Sequence, residues 1–133
     1  MTNFRKYKAY VDGGCPGNGA AAHYMFGSYI IYNDKDEEVF KDLNFTIHEK
    51  SRITNNVAEW KSLLQLLMVI KRHNYKPCTI YMDSKLVVNQ YKGIYRIKNN
   101  YLKSVANQAK NFVSPEISIH WISGKEMKEV LGH

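Results

Sequence analysis

Three acids stand out by where they fall in the chain. Asp12 ends the short run Tyr10-Val11-Asp12 and is followed by Gly13-Gly14. Glu59 lies just over one turn inside a long stretch of helical periodicity that Thr54 is placed to cap. Asp83 closes the run Thr79-Ile80-Tyr81-Met82 and precedes Ser84. Each acid also has a plain structural use. Asp12 suits a turn, Asp83-Ser84 suits a helix cap, and Glu59 suits the field of the helix N-terminus. Brought to one place, three carboxylates repel one another, and a hard divalent cation relieves that repulsion. All-oxygen donors favour Mg2+ or Mn2+.

The elements that must position them follow from patterning. Lys6 to Val11 reads as a first strand that ends at a sharp change of direction in Asp12-Gly13-Gly14. Tyr24 to Tyr32 is aromatic and β-branched, and Asn33-Asp34-Lys35-Asp36 is a turn. Val39, Leu43, Phe45 and Ile47 then fall on alternate positions, with Lys41 the polar exception, which makes a third strand. From Thr54 to about Arg72, the apolar residues Val57, Trp60, Leu63, Leu64, Leu67 and Ile70 recur at three- and four-residue spacing. A short strand, Thr79–Met82, leads to a short helix that stops at Gly93. A further helix carries Tyr101, Leu102, Val105, Ala109 and Phe112. Ile117, Ile119 and Trp121 alternate with Ser118 and His120 as a fifth strand. The order β-β-β-α-β-α-α-β predicts an α/β fold with a mixed five-stranded sheet flanked by helices. Residues 1–133 form one domain on this reading, without repeat, linker or low-complexity tract. If the first and fourth strands are parallel neighbours, Asp12 and Asp83 end at one sheet edge, where ligands of α/β sheets bind. A helix crossing that edge would bring Glu59 to the same spot.

Composition narrows the partners. The net charge of +7 favours a polyanion. No apolar run approaches the ~18 residues of a membrane span, and Met1 to Lys6 carries no secretory signal pattern. We therefore expect a cytoplasmic monomer with no membrane partner. Cys15 and Cys78 form neither a zinc spacing nor a disulfide framework and read as free thiols.

Tyr10-Val11-Asp12-Gly13-Gly14, Thr54-Asn55-Asn56-Val57-Ala58-Glu59 and Met82-Asp83-Ser84, in this order and spacing, resemble the type 1 ribonuclease H family. Thr-Asn-Asn-x-x-Glu is the most specific piece. The connection from Val88 to Lys103 looks like the branch that lacks the long basic insertion. The resemblance implies a ribonuclease H-like fold and an endoribonuclease that hydrolyses the RNA strand of RNA–DNA hybrids, leaving 5′-phosphate and 3′-hydroxyl ends. It implies two Mg2+ ions, with Mn2+ able to substitute, held by the catalytic acids Asp12, Glu59 and Asp83, Asp12 being shared. Gly14, Cys15 and Asn18 would supply groups to the ribose side, Asn55 and Asn56 would reach across the groove, and Ser84 would join them in facing substrate. Lys85, Lys92, Arg96, Lys98 and Lys103 would face phosphates. Tyr95 and Trp121 read as packing residues.

The pattern departs from the family after the fifth strand. A fourth carboxylate, an Asp in or before a final helix, is expected, and no Asp follows Asp83. Lys125 stands where a loop His would fall. Three explanations remain open. The chain is shortened and its final helix is missing or vestigial; or Glu126 or Glu129 replaces the Asp; or His133 serves as ligand or loop His. The competing function is a module that binds hybrid or double-stranded RNA with little or no cleavage.

Overall fold

In a computed structural model of the chain, residues 6–16, 24–48 and 54–132 are described. β1 (Tyr7–Gly14), β2 (Met25–Tyr32) and β3 (Glu38–Ile47) form an antiparallel meander. The turn between β2 and β3 is built by Asn33, whose side-chain oxygen accepts from the N–H groups of Lys35 and Glu37 at 2.9 and 3.0 Å. α1 (Asn55–His73) follows, then β4 (Cys78–Met82), α2 (Lys85–Tyr91), α3 (Asn100–Lys110), β5 (Ile117–Trp121) and α4 (Gly124–Leu131). The sheet order is β3-β2-β1-β4-β5, with β4 parallel to both β1 and β5. This is the expected mixed five-stranded sheet. Among the described residues, no helix is long and apolar enough to cross a membrane.

α1 begins where Thr54 Oγ1 accepts from Val57 N at 3.1 Å. It ends where Asn74 turns left-handed and its N–H bonds back to the carbonyls of Ile70 and Lys71. Its buried face, including Val57, Trp60, Leu63, Leu67 and Ile70, packs on Ala9, Val11, Met25 and Ile31 of the sheet and on Leu102, Val105 and Ala109 of α3. Burial of each such leucine contributes about 2 kcal/mol. The opposite sheet face carries a smaller core of Ile30, Met127 and Leu131, with Tyr10, Tyr32, Ile122 and Val130 against it. Both cysteines are buried free thiols.

Two expectations need correction, and one open alternative is decided. β1 does not stop at Val11. It runs through Gly14, because Gly13 and Gly14 stay extended and pair with Gly27 and Phe26 of β2. The two glycines therefore do not make a turn. A Cβ on Gly13 would collide with the Ala58 carbonyl, so its bare backbone lets α1 cross close against β1. The final helix is short but present: α4 has eight residues, capped by Ser123 Oγ on Glu126 N and anchored by the buried Met127 and Leu131. Lastly, Tyr95 and Trp121 are 49% and 44% exposed, so neither is a core residue.

Candidate active site

The parallel pairing of β1 with β4 sets Tyr10 opposite Tyr81. Two residues further along the chain in each case, Asp12 lies near the end of β1 and Asp83 just past the end of β4. Alternation along β1 turns Val11 into the large core and Tyr10 to the α4 face, so Asp12 points to the α4 face too. The Asp12 and Asp83 carboxyl groups are hydrogen-bonded to each other. Glu59 arrives from the other layer, because Gly13 allows Ala58 and the Glu59 backbone to lie directly on β1. Sheet and helix thus each contribute to one cluster.

Burial pushes the Asp12 carboxyl up to about 8, with further upward contributions from Asp83 and Glu59; the Gly13 backbone N–H opposes them. Glu59 rises to about 7, first through burial. The Ser84 hydroxyl, hydrogen-bonded to its carboxylate, opposes this rise, and the charge of Asp83 adds to it. The same Ser84 oxygen accepts from Val87 N at 3.2 Å and caps α2. The second carboxylate oxygen of Glu59, Oε2, is buried with no hydrogen-bond partner.

The trio does not close as tightly as the sequence suggested. Among the described residues, no three His, Cys, Asp or Glu side chains stand close enough to cage a single ion. Asp12 and Asp83 touch, while Glu59 is turned onto Ser84. Like charges oppose a closer approach, and a hydroxyl offers Glu59 a better partner than a third carboxylate. The donor set nevertheless fits a hard divalent cation. It is all oxygen, it is partly desolvated, and its Glu59 Oε2 is an orphaned acceptor that neither Asp can satisfy while ionised.

The other expected residues fall into place as follows. Asn55 Oδ1 accepts from the Cys15 N–H at 2.9 Å, tying the end of β1 to the start of α1. The Cys15 side chain is buried in the large core. Gly14 lies against the ring of Phe26. Asn55 is exposed and Asn56 partly so on the first turn of α1. Asn18 and His133 lie outside the described residues. α4 starts beside the acids, a Cβ on Gly124 standing 3.7 Å from Asp83 Oδ2. Glu126 in its first turn is exposed and engages Ser123, its carboxylate accepting from Ser123 Oγ at 3.3 Å. Glu129 is exposed one turn on, next to Val130, which lies beside Lys8, Tyr10 and Tyr32. Lys85, Lys92, Arg96, Lys98 and Lys103 are all exposed along α2, its following loop and the start of α3. Sequence reasoning missed the packing of Gly13 on Ala58, and it missed Trp121, whose indole N–H donates to the Asp83 carbonyl at 3.0 Å. No pattern in the sequence marks that bond; only the register, which sets Trp121 opposite Met82, reveals it.

Ser84 gives a direct test of this wiring. Ser84→Ala removes the cap of α2, at a cost of about 1 kcal/mol, and removes the one group that restrains the rise of Glu59. A proton then competes harder with a cation at Glu59. We expect Mn2+ affinity to fall about fivefold near neutral pH, with the deficit shrinking as pH rises and that proton leaves. Calorimetric titration across pH checks this. Ser84→Thr keeps the hydroxyl and should restore both properties.

A mixed sheet in this order, flanked by helices, is a ribonuclease H-like fold, and the three acids stand where the sequence resemblance expected a site. The sequence matches the RNase H family over residues 5–129, and the chain belongs to that family, in its type 1-like form. It is 30% identical over 113 residues to the bifunctional protein Rv2228c of Mycobacterium tuberculosis and, equally, to the uncharacterized protein Mb2253c of Mycobacterium bovis. Those matches cover 84% of this chain but 29% of the relatives, so this chain spans less than a third of their length. Among solved structures, ribonuclease H1 of the archaeon Halobacterium salinarum superposes with a TM-score of 0.81 at 22% identity, over 95% of this chain and 93% of that one. The N-terminal RNase H domain of Rv2228c gives 0.80 at 25% identity, over 93% and 86%. LC11-RNase H1, isolated from compost and solved in complex with an RNA/DNA hybrid, gives 0.79 at 23% identity, over 92% and 89%. At these identities the superpositions speak to the fold.

Proposed function

We propose that this domain is an endoribonuclease that hydrolyses the RNA strand of RNA–DNA hybrids. The observation that carries the reading is the contact of Asp12 with Asp83 at the ends of parallel strands, with the orphaned oxygen of Glu59 beside it. Family membership and the hybrid bound by LC11-RNase H1 support the substrate class. Two cavities of about 640 and 340 Å3 flank α3, and none of the three acids lines either. A cluster outside such pockets suits a polymer laid across the surface. The exposed cations from Lys85 to Lys103 provide a sequence-independent phosphate contact.

Asp12, Glu59 and Asp83 would hold two Mg2+ ions, with Mn2+ as substitute and Asp12 shared. Such ions supply a metal-activated water and stabilise the departing 3′ oxygen, leaving a 5′-phosphate. The chain's own part is to hold three carboxylates half-desolvated, with Ser84 orienting Glu59 so that Oε2 stays available. Asn56 and the Gly14 backbone lie at the same end of the sheet, where they would meet the ribose side of the hybrid.

A second reading, a module that grips hybrid or double-stranded RNA without cutting, has one observation in its favour. α4 brings no Asp to the cluster, and its first-turn acid, Glu126, is engaged at the helix cap. An end-labelled hybrid incubated with Mg2+ or Mn2+, beside duplex DNA and duplex RNA, decides. The wild type should cut only the RNA strand of the hybrid, and Asp12→Asn should cut nothing. Retained binding without cleavage in either metal would replace the nuclease reading with the module.

A further inference from the structure

Trp121 is a large aromatic residue left 44% exposed beside Asp83, and its surroundings give it a task. Regular pairing of β4 with β5 ends at Met82 opposite Trp121. One more backbone bond, from Ile122 N to the Met82 carbonyl at 2.8 Å, closes the ladder. Asp83 comes next, beyond the sheet, where backbone would otherwise be free to pivot. The Trp121 indole N–H donates to the Asp83 carbonyl at 3.0 Å and extends the ladder by one side-chain rung. The other surface of the indole is also used: the Lys85 ammonium sits 4.6 Å from the ring centroid. That is well within cation–π range. Lys85 is exposed and opens α2, two residues past Asp83.

We infer that Trp121 is a positioning residue that fixes the backbone of Asp83 and at the same time holds Lys85 ready for a phosphate of the bound strand. The Lys85 part rests on the hybrid reading above; the Asp83 part does not. A lysine in free solution must lose rotamer freedom when it meets a phosphate. One already lying on an aromatic face has lost much of it, and among the described residues no carboxylate forms an ion pair with Lys85. Trp121 thereby couples the grip on substrate to the stiffness of a metal-binding acid.

The experiment uses the whole chain and two variants. Trp121→Phe keeps a ring and removes the N–H. It should weaken Mn2+ binding in calorimetry about tenfold and lower kcat by a similar factor, while KM for hybrid changes less than about twofold. Lys85→Gln should leave Mn2+ binding as in wild type. It should raise KM and flatten the slope of log affinity for hybrid against log salt by about 0.9, one phosphate contact. Lys85→Arg, which also stacks on an indole, should restore both. Mn2+ affinity unchanged in Trp121→Phe, at unchanged thermal stability, would overturn the positioning role. An unchanged salt slope in Lys85→Gln, with wild type binding hybrid normally, would overturn the phosphate role. Wild type that binds Mn2+ but no hybrid would remove the hybrid reading and Lys85's part with it, while the Mn2+ comparison still decides for Trp121.

Discussion

Asp12→Asn will abolish hybrid cleavage and yet make the metal-free protein more stable at pH 8. On the proposed two-metal reading the loss of cutting should be at least about 1000-fold, since an anion shared by both ions would have no substitute. The gain in stability follows from proton linkage. The Asp12 carboxyl in the folded chain holds its proton up to about 8, against 3.8 for an ordinary Asp. The folded state therefore binds the proton more tightly than the unfolded chain does. Its contribution is fully present below about pH 4 and is lost as pH rises towards about 8. Asparagine has the same shape and no charge to bury, so the variant escapes that decline. Discounted for solvent access and relaxation, the difference should be about 1–3 kcal/mol at alkaline pH, and near zero at pH 4. Urea unfolding in EDTA at both pH values measures it. Adding Mg2+ should stabilise the parent more than the variant, which keeps only Asp83 and Glu59 of the three carboxylates. A variant less stable than its parent in EDTA at pH 8 would mean that the cluster is not the strained group of anions described above.

Gly13→Ala will injure site and stability together. The added methyl would stand 2.6 Å from the Ala58 carbonyl carbon and 2.8 Å from the Glu59 nitrogen. Both are backbone atoms of α1, so relief requires moving the helix off β1. We expect a loss of about 3 kcal/mol, the upper part of the range for overpacking. Because Glu59 rides on the displaced segment, catalysis should fall further than the folded fraction alone explains. Gly14→Ala is the control. Its methyl meets only the ring of Phe26, the nearest atom at 2.5 Å, and a side chain can turn aside. The expected order of unfolding midpoints is wild type, then Gly14→Ala, then Gly13→Ala. The reverse order for the two variants would refute the backbone argument.

Much of this was legible in the residues. Alternation gave the strands, and Thr54 and the apolar spacing gave α1, while the parallel pairing of the first and fourth strands entered as a condition that the register of β1 and β4 meets. Reading Gly13-Gly14 as a turn failed because glycine serves two ends: it frees the backbone to bend, and it lets a second backbone come close. Only the partner element distinguishes these, and Ala58 lies 45 residues away. Trp121 was misplaced for a similar reason. Alternation says that a residue belongs to a strand, but on an edge strand it does not say that a layer covers it. Glu59 was found, whereas its hold by Ser84 was not, because a side-chain hydrogen bond between two helices leaves no periodic trace. α4 was underestimated because eight residues give too few turns for a pattern, although Ser123 and Glu126 already spell a capping box.

The sheet is packed unequally on its two sides. One side is secured by α1 and α3 through a broad core, the other by three buried side chains, Ile30, Met127 and Leu131. Amide hydrogens of α4 should therefore exchange with solvent far sooner than those of α1, by partial detachment without global melting. A helix held so lightly can be lengthened or re-sequenced while the strands beneath persist, so divergence among relatives should concentrate at α4.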